Sequence, residues 1–275
     1  MKFPKVIWTC WFQGIDNAPP IVRRCIRSWS LRNPSWELRC LDASAVAQTT
    51  DLAERFDISK KEITAASMSD LVRLLLLETY GGVWVDATVL CNKPLDSWLE
   101  DHSGSGFFAF ENEAPDRPIA SWFLASEPRH RLTSAWVEHA AEFWKSRSRT
   151  DDYFWMHHLY PSAIATSRTD PHANRGPVSA APSHSFSAKG AMFEDLDTVG
   201  NRVAWQAPMF KLSHRTNHYE AHNNSLYSLL SRPGTVDASL GWRPPLTSVQ
   251  QGQVGEPIAF ADPALLPPPT PPHLR

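Results

Sequence analysis

The chain has 275 residues, 42% of them hydrophobic, which suffices for one large α/β core, and its 27 basic against 29 acidic residues leave a charge of −2 that argues against a dedicated nucleic-acid binder. Its four cysteines (Cys10, Cys25, Cys40 and Cys91) lack the spacing of a zinc site and read as free, buried thiols. The start MKFPKVIW has no apolar signal-peptide core and no run is long enough to cross a bilayer, so a cytoplasmic protein is expected, with membrane contact at most peripheral.

Lys5 to Trp11 is a β-branched and aromatic run that predicts a first strand, ending in the loop Phe12 to Asn17. A ligand is expected at that end, which makes Trp8, Thr9, Trp11 and Gln13 candidate contacts. Pro19 and Pro20 suit a helix start, and Val22, Cys25, Ile26 and Trp29 recur at helical spacing until Asn33-Pro34 stops the helix. Arg23, Arg24 and Arg27 fall outside that stripe and are expected on a solvated face. Trp36 to Leu41 alternates as a second strand ending in Asp42, a candidate polar contact for a ligand at the same end of the sheet. This first βαβ unit carries neither GxGxxG nor a Walker pattern, which sets aside an ordinary dehydrogenase or ATPase. Residues 45 to 66 read as helical.

The densest signal is Ser67 to Pro94, SMSDLVRLLLLETYGGVWVDATVLCNKP. Ser67 and Asp70, just ahead of an apolar run, predict a capped start to a helix of about four turns. Gly81 and Gly82 supply the left-handed conformations that end it, and Val83 to Val85 form a short buried strand that delivers Asp86 to its carboxyl end. Open α/β sheets bind ligands at that end. Asp70 and Arg73 are three apart and share a helix face, where a carboxylate can accept from sugar hydroxyls and a guanidinium fork can hold a hydroxyl or phosphate. With Asp86 they make a polar trio. The bland alternative is that Asp70 only caps the helix and Arg73 only pairs with a nearby acid.

Phe107 to Phe110 predicts another strand with Glu111 at its end, a candidate for the acceptor side, and Trp122 to Leu124 a further short strand. His130 to Trp144 is helical in period, with His139 read as structural. Asp152 precedes a short helix carrying His157 and His158, which point about 100° apart and so do not read as a metal pair. Ser162 to Ser187 reads as a mobile loop. Ala207 to His214 is a last strand-like run, bringing Lys211, His214 and Arg215 as basic groups, and the proline-rich stretch 244–275 reads as extended or disordered chain beyond a single domain of 1–243. Most of the twelve tryptophans read as core, with Trp11 and Trp84 beside the proposed site.

The segment SDLVRLLLLETYGGVWVDAT resembles the donor-site core of DxD-type sugar transferases. Together with KVIWTCWFQG at Lys5 to Gly14 and SWSLRNPSWELRCLD at Ser28 to Asp42, it makes residues 3 to 100 similar to the bacterial capsular polysaccharide synthesis protein family. The resemblance implies a GT-A-like, Rossmann-type α/β fold, a mixed central sheet flanked by helices. It implies a glycosyltransferase that moves a sugar, with retention, from a nucleotide-sugar donor to a glycan or lipid-linked glycan of a bacterial surface polysaccharide. Asp86, Arg73 and Asp70 would be its catalytic residues, and Trp8, Thr9, Trp11, Gln13, Asp42, Gly82, Thr88 and Lys211 would join them in binding the donor. Were the enzyme inverting, Glu111 or Asp152 would be the base. The sequence departs from the pattern at Thr88, which stands where DxD has its second carboxylate. A manganese or magnesium ion would then rest on Asp86 with His214, or Lys211 and Arg215 would pair directly with the phosphates in its place. From another class, the alternative is a non-catalytic nucleotide-sugar or glycan-binding protein that keeps the fold.

Overall fold

The computed structural model describes residues 3–167, 193, 195, 208–214, 223–225 and 227–228. Strands β1 (Val6–Cys10), β2 (Glu37–Leu41) and β3 (Gly82–Val85) form where β-branched and aromatic residues cluster, and they lie parallel. Helix α1 (Pro20–Arg32) makes the crossover from β1 to β2, as the proline pair and Asn33 suggest. Residues 43–60 fold as two short helices, α2 (Ala43–Thr49) and α3 (Leu52–Phe56), and a 3₁₀ turn. Helix α4 (Ala65–Tyr80) then leads into β3.

Beyond β3 come β4 (Val89–Cys91), the hairpin β5 (Phe107–Ala114) and β6 (Arg117–Ser126), α5 (Arg131–Lys145), α6 (Trp155–Ser167) and β7 (Met209–Lys211). The five-stranded sheet has the order β2-β1-β3-β6-β5, with β6 antiparallel to both β3 and β5. It is therefore mixed. β4 and β7 form a separate antiparallel pair.

Strand alternation sends Trp8, Trp84, Phe107 and Leu124 to one face, where they pack on the leucines of α4, Trp136 of α5 and Trp155 of α6. Ile7, Val83, Val85, Phe108, Phe110 and Phe123 go to the other face, with Trp29 of α1, Trp36 and Leu95. Both faces are covered, which is why β3 reads as a continuous apolar run.

Four expectations change. Thr64, not Ser67, caps α4: its hydroxyl accepts from Ser67 N at 3.1 Å, so the helix starts earlier and Asp70 sits in its second turn, free of any capping duty. Arg27 is buried at 7% exposure, not solvated. The strand-like run 207–214 shortens to Met209–Lys211, and Ser162 to Ser167 are the last residues of α6, not loop. The remainder of that loop, Arg215 and the proline-rich stretch lie outside the described residues. Of the cysteines, Cys10, Cys25 and Cys91 are buried and Cys40 is partly so, all free. No described helix is long and apolar enough to cross a membrane.

Candidate active site

The site begins on α4, where Asp70 and Arg73 lie one turn apart on a helix buried over most of its surface. Gly81 ends α4, and the chain reverses at once into β3. At the far end of β3, Asp86 N donates to Trp122 O at 2.9 Å, and Val89 N donates to Asp86 O at 2.9 Å, closing a tight turn that holds Asp86 and Thr88 close together.

Arg73 joins the two elements. Its Nη1 lies 2.8 Å from Asp70 Oδ1 and its Nη2 lies 2.8 Å from Asp86 Oδ1, so one planar fork spans both carboxylates. The Trp84 indole N–H donates to the same Asp86 oxygen at 3.0 Å, and the guanidinium rests 5.3 Å from the Trp84 ring. Asp86 Oδ2 accepts from Lys211 Nζ at 2.7 Å, and that ammonium also donates to Thr88 Oγ1 at 2.9 Å. Lys211 arrives because β7 pairs with β4 in the register Val89 to Lys211, reinforced by Leu212 N donating to Thr88 O at 2.9 Å.

These surroundings drive the two carboxyls apart. Burial alone would raise Asp86, but Lys211 and Arg73 outweigh it and hold the group down at about 2. Asp70 rises to about 7 because burial, aided by the Asp86 charge, outweighs the pull of Arg73. The Trp155 indole N–H lies close to Asp70 without forming a well-aligned hydrogen bond.

A second polar cluster adjoins the trio. Glu113 on β5 accepts from Trp122 Nε1 at 3.0 Å, and its other oxygen is 3.7 Å from Arg117 Nε and 3.9 Å from His157 Nε2. Burial raises the Glu113 carboxyl, against the opposing charges of Arg117 and Lys211. His157 is 7% exposed, and neither of its ring nitrogens has a hydrogen-bond partner. Burial, then the neighbouring Arg73 and Arg117 charges, push it down to about 4, so it is neutral.

The other expected residues divide by position. Thr9 is fully buried at the end of β1, Trp11 follows it and meets His214 edge-on at 5.4 Å, and Gln13 is exposed in the loop beyond. Asp42 ends β2 at this same edge, where it caps α2 by accepting from Ala45 N at 2.7 Å. Trp8 and Gly82 are not brought to the trio: Trp8 is core and donates its indole N–H to Gly81 O at 2.9 Å, and Gly82 begins β3 at the opposite end from Asp86. Glu111 is half-buried between two register irregularities of β5, whereas Glu113, which sequence reasoning passed over, is the residue that feels Asp86 and Lys211. Asp152 is occupied, accepting from Phe154 N at 2.9 Å and lying 2.7 Å from His158 Nδ1. His157 and His158 diverge as helical geometry requires, one inward and one outward. His139 sits 2.9 Å from Thr166 Oγ1 and ties α5 to α6.

The family model described as "Capsular polysaccharide synthesis protein" matches residues 1–230. The chain belongs to that family. Among proteins similar to this capsular polysaccharide synthesis protein family member, the initiation-specific alpha-1,6-mannosyltransferase of Candida albicans is 32% identical over 139 residues, 44% of this chain and 35% of that protein. The O-glycosyltransferase braB of Annulohypoxylon truncatum is 26% identical over 168 residues, 54% of this chain and 40% of that protein. The chain thus spans less than half the length of these curated relatives. Among solved structures, an LgtC variant overlaps at TM-score 0.43 with 15% identity, over 76% of this chain and 88% of that one. The PaToxG glycosyltransferase overlaps at TM-score 0.43 with 12% identity, over 61% and 70%. Both overlaps are loose, and the site stands on its own geometry.

Proposed function

We propose that this family member is a glycosyltransferase with a GT-A-like donor domain. It transfers a sugar from a nucleotide-sugar donor to a hydroxyl of a surface glycan or its lipid-linked precursor. The observation that carries the reading is the Arg73 fork, which ties Asp70 and Asp86 into one rigid polar surface at the ligand-binding end of the sheet. Family membership and the names of the curated relatives support it. The family's description supports a capsule-type acceptor.

Transfer requires charge stabilisation on the departing nucleoside diphosphate and alignment of the acceptor hydroxyl with the anomeric carbon. In this reading Asp70 and Asp86 accept hydrogen bonds from donor hydroxyls and Arg73 fixes their orientation. Trp11, Gln13 and Asp42 border the nucleotide at the ends of β1 and β2. With retention, the bond from the anomeric carbon to phosphate oxygen breaks as the acceptor oxygen bonds on the same face, and the leaving phosphate oxygen takes the acceptor proton. Glu113 and neutral His157 orient the acceptor hydroxyl.

A panel of UDP- and GDP-sugars screened by thermal shift tests the reading, since a ligand that binds only the folded state raises the melting temperature. One donor class should stabilise the wild type and lose its effect in Asp70→Asn. No stabilisation by any member would refute a nucleotide-sugar site.

A further inference from the structure

A DxD-type transferase implies a divalent ion held between carboxylates and the donor diphosphate. The residues here do not fit one. Both Asp86 oxygens already face cations: Oδ1 accepts from Arg73 Nη2 at 2.8 Å and from Trp84 Nε1 at 3.0 Å, and Oδ2 accepts from Lys211 Nζ at 2.7 Å, so the acceptor capacity that remains suits a neutral hydroxyl and not a further cation. Thr88 contributes a neutral hydroxyl, already bonded to the same ammonium at 2.9 Å. A cation therefore already bridges the two motif positions, and it is covalently part of the chain. Among the described residues no group of three His, Cys, Asp or Glu side chains is arranged to hold a metal, and His214 belongs to none.

We propose that Lys211 is a built-in counter-cation that takes the place of the divalent ion, so that this site binds a nucleoside diphosphate without metal. The inference rests on the nucleotide-sugar reading above. An ammonium carries three N–H donors, and Asp86 and Thr88 take two of them, which leaves one for a phosphate oxygen. The Lys211 side chain is 24% exposed, so its head stands at the rim of the site and not in the core. Its position is set by backbone pairing: β7 lies against β4, and Leu212 N locks onto the carbonyl of Thr88 itself, so the lysine and the motif turn move as one unit. A hard divalent ion prefers several oxygen ligands with charge among them, and both oxygens of Asp86, the single carboxylate of this motif, already face Arg73 and Lys211. A threonine at position 88 suits this arrangement, since its hydroxyl accepts from the Lys211 ammonium at 2.9 Å.

The test is calorimetric titration of the full chain with UDP and with GDP, in excess EDTA and again in excess Mn2+, with the electron spin resonance of Mn2+ read alongside. The dissociation constant of the preferred nucleotide should agree between the two conditions within about twofold, and the protein alone should leave the free-Mn2+ signal intact. Lys211→Ala should weaken nucleotide binding about tenfold or more in both conditions, and Thr88→Asp combined with Lys211→Ala should bind nucleotide better with Mn2+ than with EDTA. Binding by the wild type that disappears in EDTA and returns with Mn2+ overturns the proposal and leaves the nucleotide-sugar reading standing. Absence of binding by either nucleotide in both conditions overturns that reading, and this proposal with it.

Discussion

At the scale of single residues, Arg73 is the joint on which the site depends, because its two arms reach carboxylates carried by different elements. A lysine lacks the planar two-armed fork that spans both carboxylates, so Arg73→Lys should lower kcat/KM about 100-fold or more and reduce the melting temperature, as a buried acid loses its partner. Wild-type kinetics in that variant would reduce Arg73 to a structural ion pair. Two neighbours should dominate the pH dependence of stability. His157 is depressed from 6.5 to about 4, so its contribution is fully present above pH 6.5 and is lost as the pH falls through 4. Asp70 is raised from 3.8 to about 7, so its contribution is fully present below pH 3.8 and is lost as the pH rises through 7. Between pH 4 and 6.5 the two slopes oppose one another, each at most about 1.4 kcal/mol per pH unit. Urea melts should therefore show His157→Gln gaining stability on acidification across that window and Asp70→Asn losing it. The same sign of slope in both variants would contradict the assignment.

At the scale of elements, the unit from α4 to β3 was the most legible part of the chain, because everything that shapes it is local. A leucine-rich helix, two glycines, three β-formers and an acid follow one another, and the structure reproduces that order. The reading of Gly82 as a donor contact was the weak point: its φ is +93°, and a Cβ there would lie 2.5 Å from Val6 Cγ1 and 2.6 Å from Val6 O. The glycine is needed for strand packing. Gly82→Ala should cost about 2 kcal/mol or more in stability while leaving nucleotide affinity of the folded fraction unchanged. A loss of affinity at constant stability would return Gly82 to the site. Elements closed by distant pairing were less legible. The two-strand unit β4 and β7 joins segments over 100 residues apart by sequence, with Lys211 and Asp86 separated by 125 positions, and no local period announces it. Glu113 was missed for a similar reason, since only the β5 and β6 hairpin turns it toward Trp122 and Arg117. An Ala-Pro-Asp-Arg turn between two apolar runs was the available signal for that hairpin.

At the scale of the whole molecule, a parallel half-sheet collects the chain ends after β1, β2 and β3 at one edge, and the late strand β7 returns to close over them. Phe210, 2% exposed, anchors that return in a cluster with Ile21, Val22, Cys25 and Ile26 of α1. Phe210→Ala should cost about 3 to 5 kcal/mol and weaken nucleotide binding beyond what the lost stability explains, because Lys211 is released with it. Unchanged affinity in the surviving folded protein would detach β7 from the site. Catalysis itself is tested most directly by following free sugar released from the stabilising donor, in wild type and in Asp86→Asn, with melting temperatures measured in parallel. Slow hydrolysis by the wild type, falling about 100-fold or more in a variant that stays folded, is the predicted result. Saturable donor binding with no release of sugar by the wild type, with or without acceptor glycan, would contradict it and mark the protein as a binding module on a transferase scaffold.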